Sequence, residues 1–128
     1  SGLRHALLRL NRMVIGVAHE VDPVTPDEID RIAQIVSPFA NEIDAVDVFG
    51  SRATGRARHG SDLDLILCGP ITLYSMLKLG VAFDESDLAF KIDLLHERDL
   101  TDPAVRQQIL GQARPLLSRD ALRVMARQ

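Results

Sequence analysis

The sequence predicts an α/β (α+β) fold, a small β-sheet flanked by helices in one compact domain. Its 128 residues, 46% of them hydrophobic, suffice for one core and are too few for two ordinary domains. Three short segments have the composition of strands, and capped helix starts lie before, between and after them. We therefore expect the central elements to run strand, helix, strand, helix, strand.

The first helix has a complete start signal. Thr25 can cap it, Pro26 suits the first helical position, and Glu28 completes a capping box. The helix is expected to end near Val36, because Ser37-Pro38 disfavours continuation. Its apolar residues recur at helical spacing and predict a packing face: Ile29, Ile32, Ala33, Ile35 and Val36.

Three strands are predicted from short β-branched or alternating segments. The first, Ala45 to Phe49, ends abruptly at Gly50. The second, Asp62 to Leu67, alternates acidic and apolar residues and is terminated by Gly69-Pro70. The third is expected from Phe90 to Leu95. A sheet built from them carries acidic side chains in two of its strands.

Three further helices are predicted around and after these strands. A short helix from Ile71 to Leu79 is expected to close at Gly80 in a left-handed C-terminal cap. Thr101-Asp102-Pro103 is a second capped helix start. A final segment, Leu116 to Met125, has the pattern of a helix. The first of these helices connects the second and third strands.

The N-terminal segment is interpreted as an addition to this domain. Leu3 to Ala18 is apolar, but Arg4, Arg9 and Arg12 interrupt it, which argues against a signal peptide or a membrane span. We therefore expect residues 1–24 to form an extension or leader, helical in character, and residues 25–128 to form the domain.

Charge and cysteine content exclude several classes of protein. The formal net charge of −3 argues against an extended nucleic-acid surface and leaves room only for a local phosphate site. The single cysteine, Cys68, cannot form an intramolecular disulfide. A cytoplasmic location is the expectation, with Cys68 acting as a small buried hydrophobe and not as a nucleophile.

Three aspartates form the predicted chemical centre. Residues two apart in a strand project from the same face, so Asp62 and Asp64 point together and away from the intervening leucines. Asp93 is an acidic residue in an otherwise apolar strand, where it needs a partner. If the third strand lies beside the second, the three carboxylates can share divalent cations, for which Mg²⁺ is the expected ion.

A glycine-serine turn supplies the predicted phosphate site. Gly50 and Ser51 follow directly after the first strand, where backbone N–H groups and a hydroxyl can approach a phosphate. Arg52 is the nearest cation, and Arg56 and Arg58 follow it. For the last two arginines, a solvated loop is an equally good interpretation.

These residues carry a family resemblance. Gly50-Ser51, ten intervening residues and Asp62-Leu63-Asp64 match the GS-x10-DxD signature of the nucleotidyltransferase superfamily that includes DNA polymerase beta. The longer string FGSRATGRARHGSDLDLIL resembles its minimal branch, the MNT proteins encoded beside HEPN partners. The resemblance extends from about Thr25 to beyond Asp93.

The resemblance implies the nucleotidyltransferase fold, a mixed sheet flanked by helices, and attack on the α-phosphate of ATP or another NTP. Two Mg²⁺ ions are implied as cofactors. The implied catalytic and metal-binding residues are Asp62, Asp64 and Asp93, of which Asp93 also helps to deprotonate the acceptor hydroxyl. The implied nucleotide-binding residues are Gly50, Ser51, Arg52 and Ser61, with Gly50 and Ser51 at the β,γ-phosphates.

Several functions remain open at this point. The family context favours transfer of AMP to a protein hydroxyl by an antitoxin whose partner is a HEPN-type toxin. A non-catalytic antitoxin that only covers its partner is the main alternative. Transfer to a small molecule or to RNA is a third, and there a homo-oligomer would build the acceptor pocket between subunits. Lys91 either pairs with a carboxylate or contacts phosphate, and His59 is expected to be solvated.

Overall fold

The computed structural model describes residues 24–54 and 62–127, which form a four-stranded mixed sheet flanked by helices. The strands are β1 (Ala45–Phe49), β2 (Leu63–Cys68), β3 (Ile92–His96) and β4 (Arg114–Leu117). The helices are α1 (Pro26–Val36), α2 (Leu73–Asp84), α3 (Pro103–Gln112) and α4 (Arg119–Ala126). Three short 3₁₀ turns complete the described elements: Ser37–Glu42, Gly50–Arg52 and Glu97–Asp99.

The sheet has the strand order β3-β2-β1-β4. Strand β1 is antiparallel to both β2 and β4, and β2 is parallel to β3. Helix α2 makes the crossover between the two parallel strands, as a parallel pair requires. The predicted mixed sheet and the predicted position of the third strand beside the second are therefore confirmed.

One face of the sheet forms the core. Leu63, Leu65 and Leu67 are fully buried, as are Val46 and Val48 on the neighbouring strand. Residues of α1 join the same cluster and include Ile32, Ala33 and Val36. The leucine face of β2 is thus the core face, as predicted, and the alternation of the strand turns Asp64 to the other side.

Helix α1 begins as its sequence predicts. Thr25 Oγ1 accepts from the amide of Glu28 at 3.2 Å, and Glu28 Oε1 accepts from the amide of Thr25 at 2.9 Å. The capping box satisfies two amides that the helix itself leaves without partners. The helix ends at Val36, where the predicted boundary also lies.

Helix α2 differs from its prediction at both ends. It begins at Leu73 after the Thr72 cap, and it runs through Gly80 to Asp84. The prediction that Gly80 is a left-handed cap is wrong, because Gly80 lies inside the helix and has no positive φ. Burial of Leu79 and Phe83 against the core extends the helix past the glycine, since packing outweighs a single poor helix former.

Gly80→Ala is expected to stabilise the protein. A Cβ at Gly80 would meet no atom within 4 Å, so alanine reduces the entropy of the unfolded chain and adds no clash. The expected gain is about 0.5–1 kcal/mol in the free energy of unfolding, measured by urea denaturation. A loss of stability would mean that another group fills the space beside Gly80.

The C-terminal segment also differs from its prediction. Instead of one helix from Leu116 to Met125, the chain forms the short strand β4 and then helix α4, which begins after the Ser118 cap. The physical reason is the free edge of β1: Leu117 pairs with Val46 there, and both Leu116 and Leu117 are buried. A four-residue edge strand that contains Pro115 has too little sequence pattern to be recognised without its partner.

The end of β3 is fixed by a buried histidine that the sequence did not single out. Nε2 of His96 lies 2.8 Å from the carbonyl oxygen of Gly69, and Nδ1 accepts from the amide of Arg98 at 3.0 Å. This pair of hydrogen bonds requires the neutral ring with its proton on Nε2. The loop after β2 is thereby joined to the end of β3.

The predicted N-terminal helix from Leu3 to Ala18 lies outside the described residues. Within residues 24–54 and 62–127, no helix combines the length and the apolar composition that a bilayer crossing requires.

Candidate functional site

The candidate site begins where β1 ends. Gly50 has a φ of 73°, a left-handed conformation that glycine adopts without strain, and it opens the 3₁₀ turn Gly50–Arg52. The amides of Ala53 and Thr54 both donate to the carbonyl oxygen of Gly50, at 3.1 and 3.2 Å. Of the helix expected between the first two strands, the described residues contain this 3₁₀ segment, and residues 55–61 lie outside the described part of the chain.

The turn lies directly against an acidic side chain. Phe49 is the register partner of Asp64, so the next residue, Gly50, follows immediately beside Asp64. A Cβ at Gly50 would collide with Oδ2 of Asp64. The backbone conformation therefore favours glycine at this position, and a larger residue there would also displace the Asp64 carboxylate.

The parallel register of β2 and β3 brings two of the predicted aspartates together. Asp64 and Asp93 are register partners and project from the sheet face opposite the leucine core. The pKa of Asp64 is raised first by burial, then by the negative charges of Asp93 and Asp62, and last by a hydrogen bond with Asp93. The pair therefore favours holding a proton or a cation between its oxygens.

Asp62 is exposed at the entry to β2, and its charge contributes to the raised pKa of Asp64. The structure does not, however, assemble all three aspartates into one ligand set. Among residues 24–54 and 62–127, no three acidic, histidine or cysteine side chains converge closely enough to hold a metal ion. The Asp64–Asp93 pair alone matches the one or two carboxylates that Mg²⁺ commonly takes, with water and phosphate oxygens as its other ligands.

Arg52 occupies a different place from the one expected of a surface phosphate ligand. It is only 6% exposed, and its guanidinium carbon lies 4.4 Å from the centroid of the Phe90 ring. Phe90 is itself half-buried against the core, just before β3. Arg52 thus contacts the segment that leads into Asp93. A contact between Arg52 and the nucleotide stays a prediction.

Lys91 lies near Asp93. Its Nζ is 3.6 Å from Oδ1 of Asp93, and both side chains are substantially exposed. An ion pair of this kind contributes little stability in water. Of the two interpretations of Lys91, pairing with a carboxylate is the one that the structure contains. Ser61, Arg56, Arg58 and His59 lie outside the described residues.

Cys68 is partly buried, whereas the sequence predicted a buried side chain. Burial is the main factor that raises the pKa of its thiol to about 11. The thiol is therefore protonated at neutral pH, and a protonated thiol is a poor nucleophile. This agrees with the prediction that Cys68 is not a nucleophile.

Two residues near the site were missed by sequence reasoning. One is Phe90, whose contact with Arg52 has no local sequence signal. The other is Asp47, an acidic residue inside β1 that lies on the same sheet face as Asp64, since both strands alternate. Asp47 could have been found by the criterion used for Asp93, an acidic residue in an apolar strand.

Asp47→Asn is expected to stabilise the protein in a pH-dependent way. Burial raises the pKa of Asp47 above its ordinary value of 3.8, so the folded protein binds this proton more tightly than the unfolded chain does. The contribution of Asp47 to the free energy of unfolding therefore falls as the pH rises above that value. The melting temperature of the variant should exceed that of the wild type at about pH 7 and not at about pH 3, where Asp47 is protonated in both states. An equal shift at both pH values would contradict this explanation.

The sequence and the fold are similar to those of known proteins. The sequence model of the family described as "Polymerase beta, Nucleotidyltransferase" matches residues 30–122. A curated relative, "Probable protein adenylyltransferase MntA" of Haemophilus influenzae, is 45% identical over 49 residues, which are 37% of this chain and 43% of the relative. The chain thus matches less than half the length of that relative.

Solved structures with a similar fold include the following two. One, described as a toxin–antitoxin with AMP-PNP, has a TM-score of 0.56 at 19% identity over 77% of this chain and 80% of that chain. At this identity the likeness shows the fold alone. The other, named as a minimal nucleotidyltransferase, has a TM-score of 0.53 at 38% identity over 66% of this chain and 88% of that chain.

Proposed function

Because this chain belongs to the polymerase beta nucleotidyltransferase family, we propose that it transfers AMP from ATP to a hydroxyl group of a protein. The observation that carries the proposal is the contact between the Gly50 turn and the carboxylate of Asp64, which is itself paired with Asp93. A phosphate-binding turn and a pair of metal-binding carboxylates are then neighbours. A nucleoside triphosphate with its divalent cation needs both.

The residues of the chain have distinct roles in this reaction. The backbone amides of the turn and the hydroxyl of Ser51 bind the β,γ-phosphates, and Ser61 completes the nucleotide-binding set. The acceptor oxygen bonds to the α-phosphorus, the bond from that phosphorus to the bridging oxygen breaks, and pyrophosphate leaves. Asp93 accepts the proton of the acceptor hydroxyl.

Magnesium is proposed as the cofactor, with Asp64 and Asp93 as its ligands and Asp62 as a third carboxylate for a second ion. Burial and, after it, repulsion by the neighbouring carboxylates raise the pKa of Asp64. A divalent cation relieves this repulsion, which supports the assignment. Bound there, Mg²⁺ would neutralise phosphate charge during transfer.

The choice of acceptor rests on the relatives. The curated relative is named as a protein adenylyltransferase, and a similar structure is described as a toxin–antitoxin with AMP-PNP. The first name supports transfer of an adenylyl group to a protein, and the second description supports an ATP-like donor and an antitoxin role. We therefore propose a HEPN-type toxin as the partner that carries the acceptor hydroxyl.

A second candidate is an antitoxin that neutralises its partner by binding alone. It is favoured by an exposed apolar stripe on α2, formed by Leu73, Tyr74, Leu77 and Val81, each between 54% and 72% exposed. Side chains at these spacings lie along one side of a helix. Contiguous exposed apolar groups mark interaction surfaces in soluble proteins.

One experiment separates the two candidates. The protein is incubated with Mg²⁺, ATP labelled at the α-phosphate and the product of the adjacent gene, and neutralisation of that product is followed in parallel. With Asp93→Asn, transfer of label and neutralisation are both expected to be lost. If Asp93→Asn transfers no label and still neutralises, while Leu77→Asp does not neutralise, the binding-only function is correct.

Matched controls keep this result interpretable. Asp47→Asn removes a carboxylate from the same sheet face outside the site, and Glu85→Gln changes an exposed residue just after α2. Both are expected to transfer label like the wild type. Absence of label transfer from the wild type, with the partner present, would count against the enzymatic proposal.

A further inference from the structure

Arg52 and Phe90 form a contact that bridges two parts of the candidate site. Arg52 is the last residue of the Gly50–Arg52 turn, and its guanidinium lies over the Phe90 ring at 4.4 Å. The side chain is buried, so the contact is largely shielded from water. A planar guanidinium stacks on an aromatic face in a defined orientation, which an ammonium group does not reproduce.

The position of Phe90 affects the position of Asp93. It comes just before β3, and the next residue, Lys91, accepts a hydrogen bond from the amide of Leu63 at 2.8 Å. This bond joins the start of β3 to the start of β2. Asp93 is the second residue of β3, so a shift of Phe90 would be transmitted to it over a short length of chain.

The residues of the candidate site are therefore connected by a closed series of contacts. The turn meets Asp64 at Gly50, Asp64 pairs with Asp93, and Asp93 connects along the chain to Phe90. Phe90 in turn contacts Arg52, which is the last residue of the turn. Of these contacts, the one between Arg52 and Phe90 holds the turn to β3 without passing through Asp64.

We infer that Arg52 is a positioning residue: through its contact with Phe90 it sets the distance between the phosphate-binding turn and Asp93. This inference rests on the proposed nucleotidyl transfer and concerns the same site. It differs from a role as a phosphate ligand, which would require the guanidinium to leave the ring. Misplacing reacting groups by about 1 Å can lower a rate by about 10²-fold while the substrate still binds.

The test compares Arg52→Lys, Phe90→Leu and the double variant in the full chain. Arg52→Lys keeps the charge and loses the planar stack, and Phe90→Leu keeps an apolar group and loses the ring. Each is expected to lower kcat for label transfer by about 10-fold to 10²-fold, with KM for ATP within about twofold of the wild type. The double variant should be little worse than Arg52→Lys alone, because Phe90→Leu removes no contact that Arg52→Lys leaves in place.

A phosphate-ligand role predicts a different pattern. Arg52→Lys would then raise KM for ATP, and Phe90→Leu would leave both constants near their wild-type values. That pattern, or independent and multiplying effects in the double variant, would overturn the inference. Arg119→Lys is the matched control, because Arg119 pairs with Asp44 just before β1, at the end of that strand opposite Gly50.

Hydrogen exchange gives a readout that needs no activity. The amides of Ala53 and Thr54 donate to Gly50 within the turn. In both Arg52→Lys and Phe90→Leu these amides should exchange at least severalfold faster, while amides of the β1–β2 ladder keep their protection. Unchanged exchange at Ala53 and Thr54 in both variants would overturn the inference, even if the wild type transferred no label. Faster exchange together with an inactive wild type would contradict the proposed function and retain the link between Arg52 and Phe90.

Discussion

Asp64→Asn is expected to abolish nucleotide transfer while it stabilises the metal-free protein. The side chain keeps its shape and loses the charge that binds the cation. A loss of several kcal/mol of transition-state stabilisation corresponds to a rate decrease of about 10³-fold. The stability gain has a separate cause: the pKa of Asp64 is raised by burial and by neighbouring carboxylates, so its ionised form is unfavourable in the folded protein near neutral pH.

Two measurements check this prediction. The first is the rate of label transfer at saturating ATP. The second is the melting temperature with and without Mg²⁺: the ion should raise it for the wild type and leave the variant unchanged, because a ligand stabilises only the state that binds it. Asp47→Asn serves as the control, since it is expected to retain both activity and the response to Mg²⁺. Activity within about threefold of wild type in Asp64→Asn would refute the assignment of the metal site.

Gly50→Ala is expected to cause the largest combined loss of activity and stability. The new Cβ would meet the Asp64 carboxylate, and the backbone at a φ of 73° is unfavourable for alanine. Backbone strain of this kind costs about 1–3 kcal/mol. Displacement of Asp64 should lower the transfer rate by at least about 10²-fold, because the turn and the carboxylate no longer fit together.

A double-mutant cycle separates the two causes. In an Asp64→Ala background the carboxylate is gone, so Gly50→Ala should cost less unfolding free energy than it does in the wild type. Gly80→Ala is the matched glycine control and is expected to be stabilising. Equal costs of Gly50→Ala in both backgrounds would show that the collision with Asp64 contributes nothing.

The local elements of this protein were predictable from short-range patterns. The capping box at Thr25 determined where α1 begins, and the alternation in β2 determined that the leucines face the core and that Asp64 does not. The spacing from Gly50-Ser51 to Asp62 and Asp64 carried the family resemblance. Such features depend on neighbours within a few residues, which the sequence displays directly.

Features that depend on distant partners were not predictable in the same way. Gly80 was misread because the burial of Phe83 extends α2, and β4 was missed because its partner is β1, about 70 residues earlier in the chain. Strand parity also predicted that Asp62 and Asp64 point together and that Asp93 joins them. The parallel register of β2 and β3 pairs Asp64 with Asp93 and leaves Asp62 at the entry to the strand.

The sequence by itself determined the chemical groups of the site: a glycine-serine turn, the spaced aspartates and an adjacent arginine. Only the tertiary structure decided how they are arranged, with Gly50 against Asp64, Asp64 beside Asp93 and Arg52 over Phe90. The physical reason is that residue type and spacing set what a side chain can bind and which way it points. Strand register and burial arise only when distant segments pack together, and they determine which other side chains a given side chain contacts.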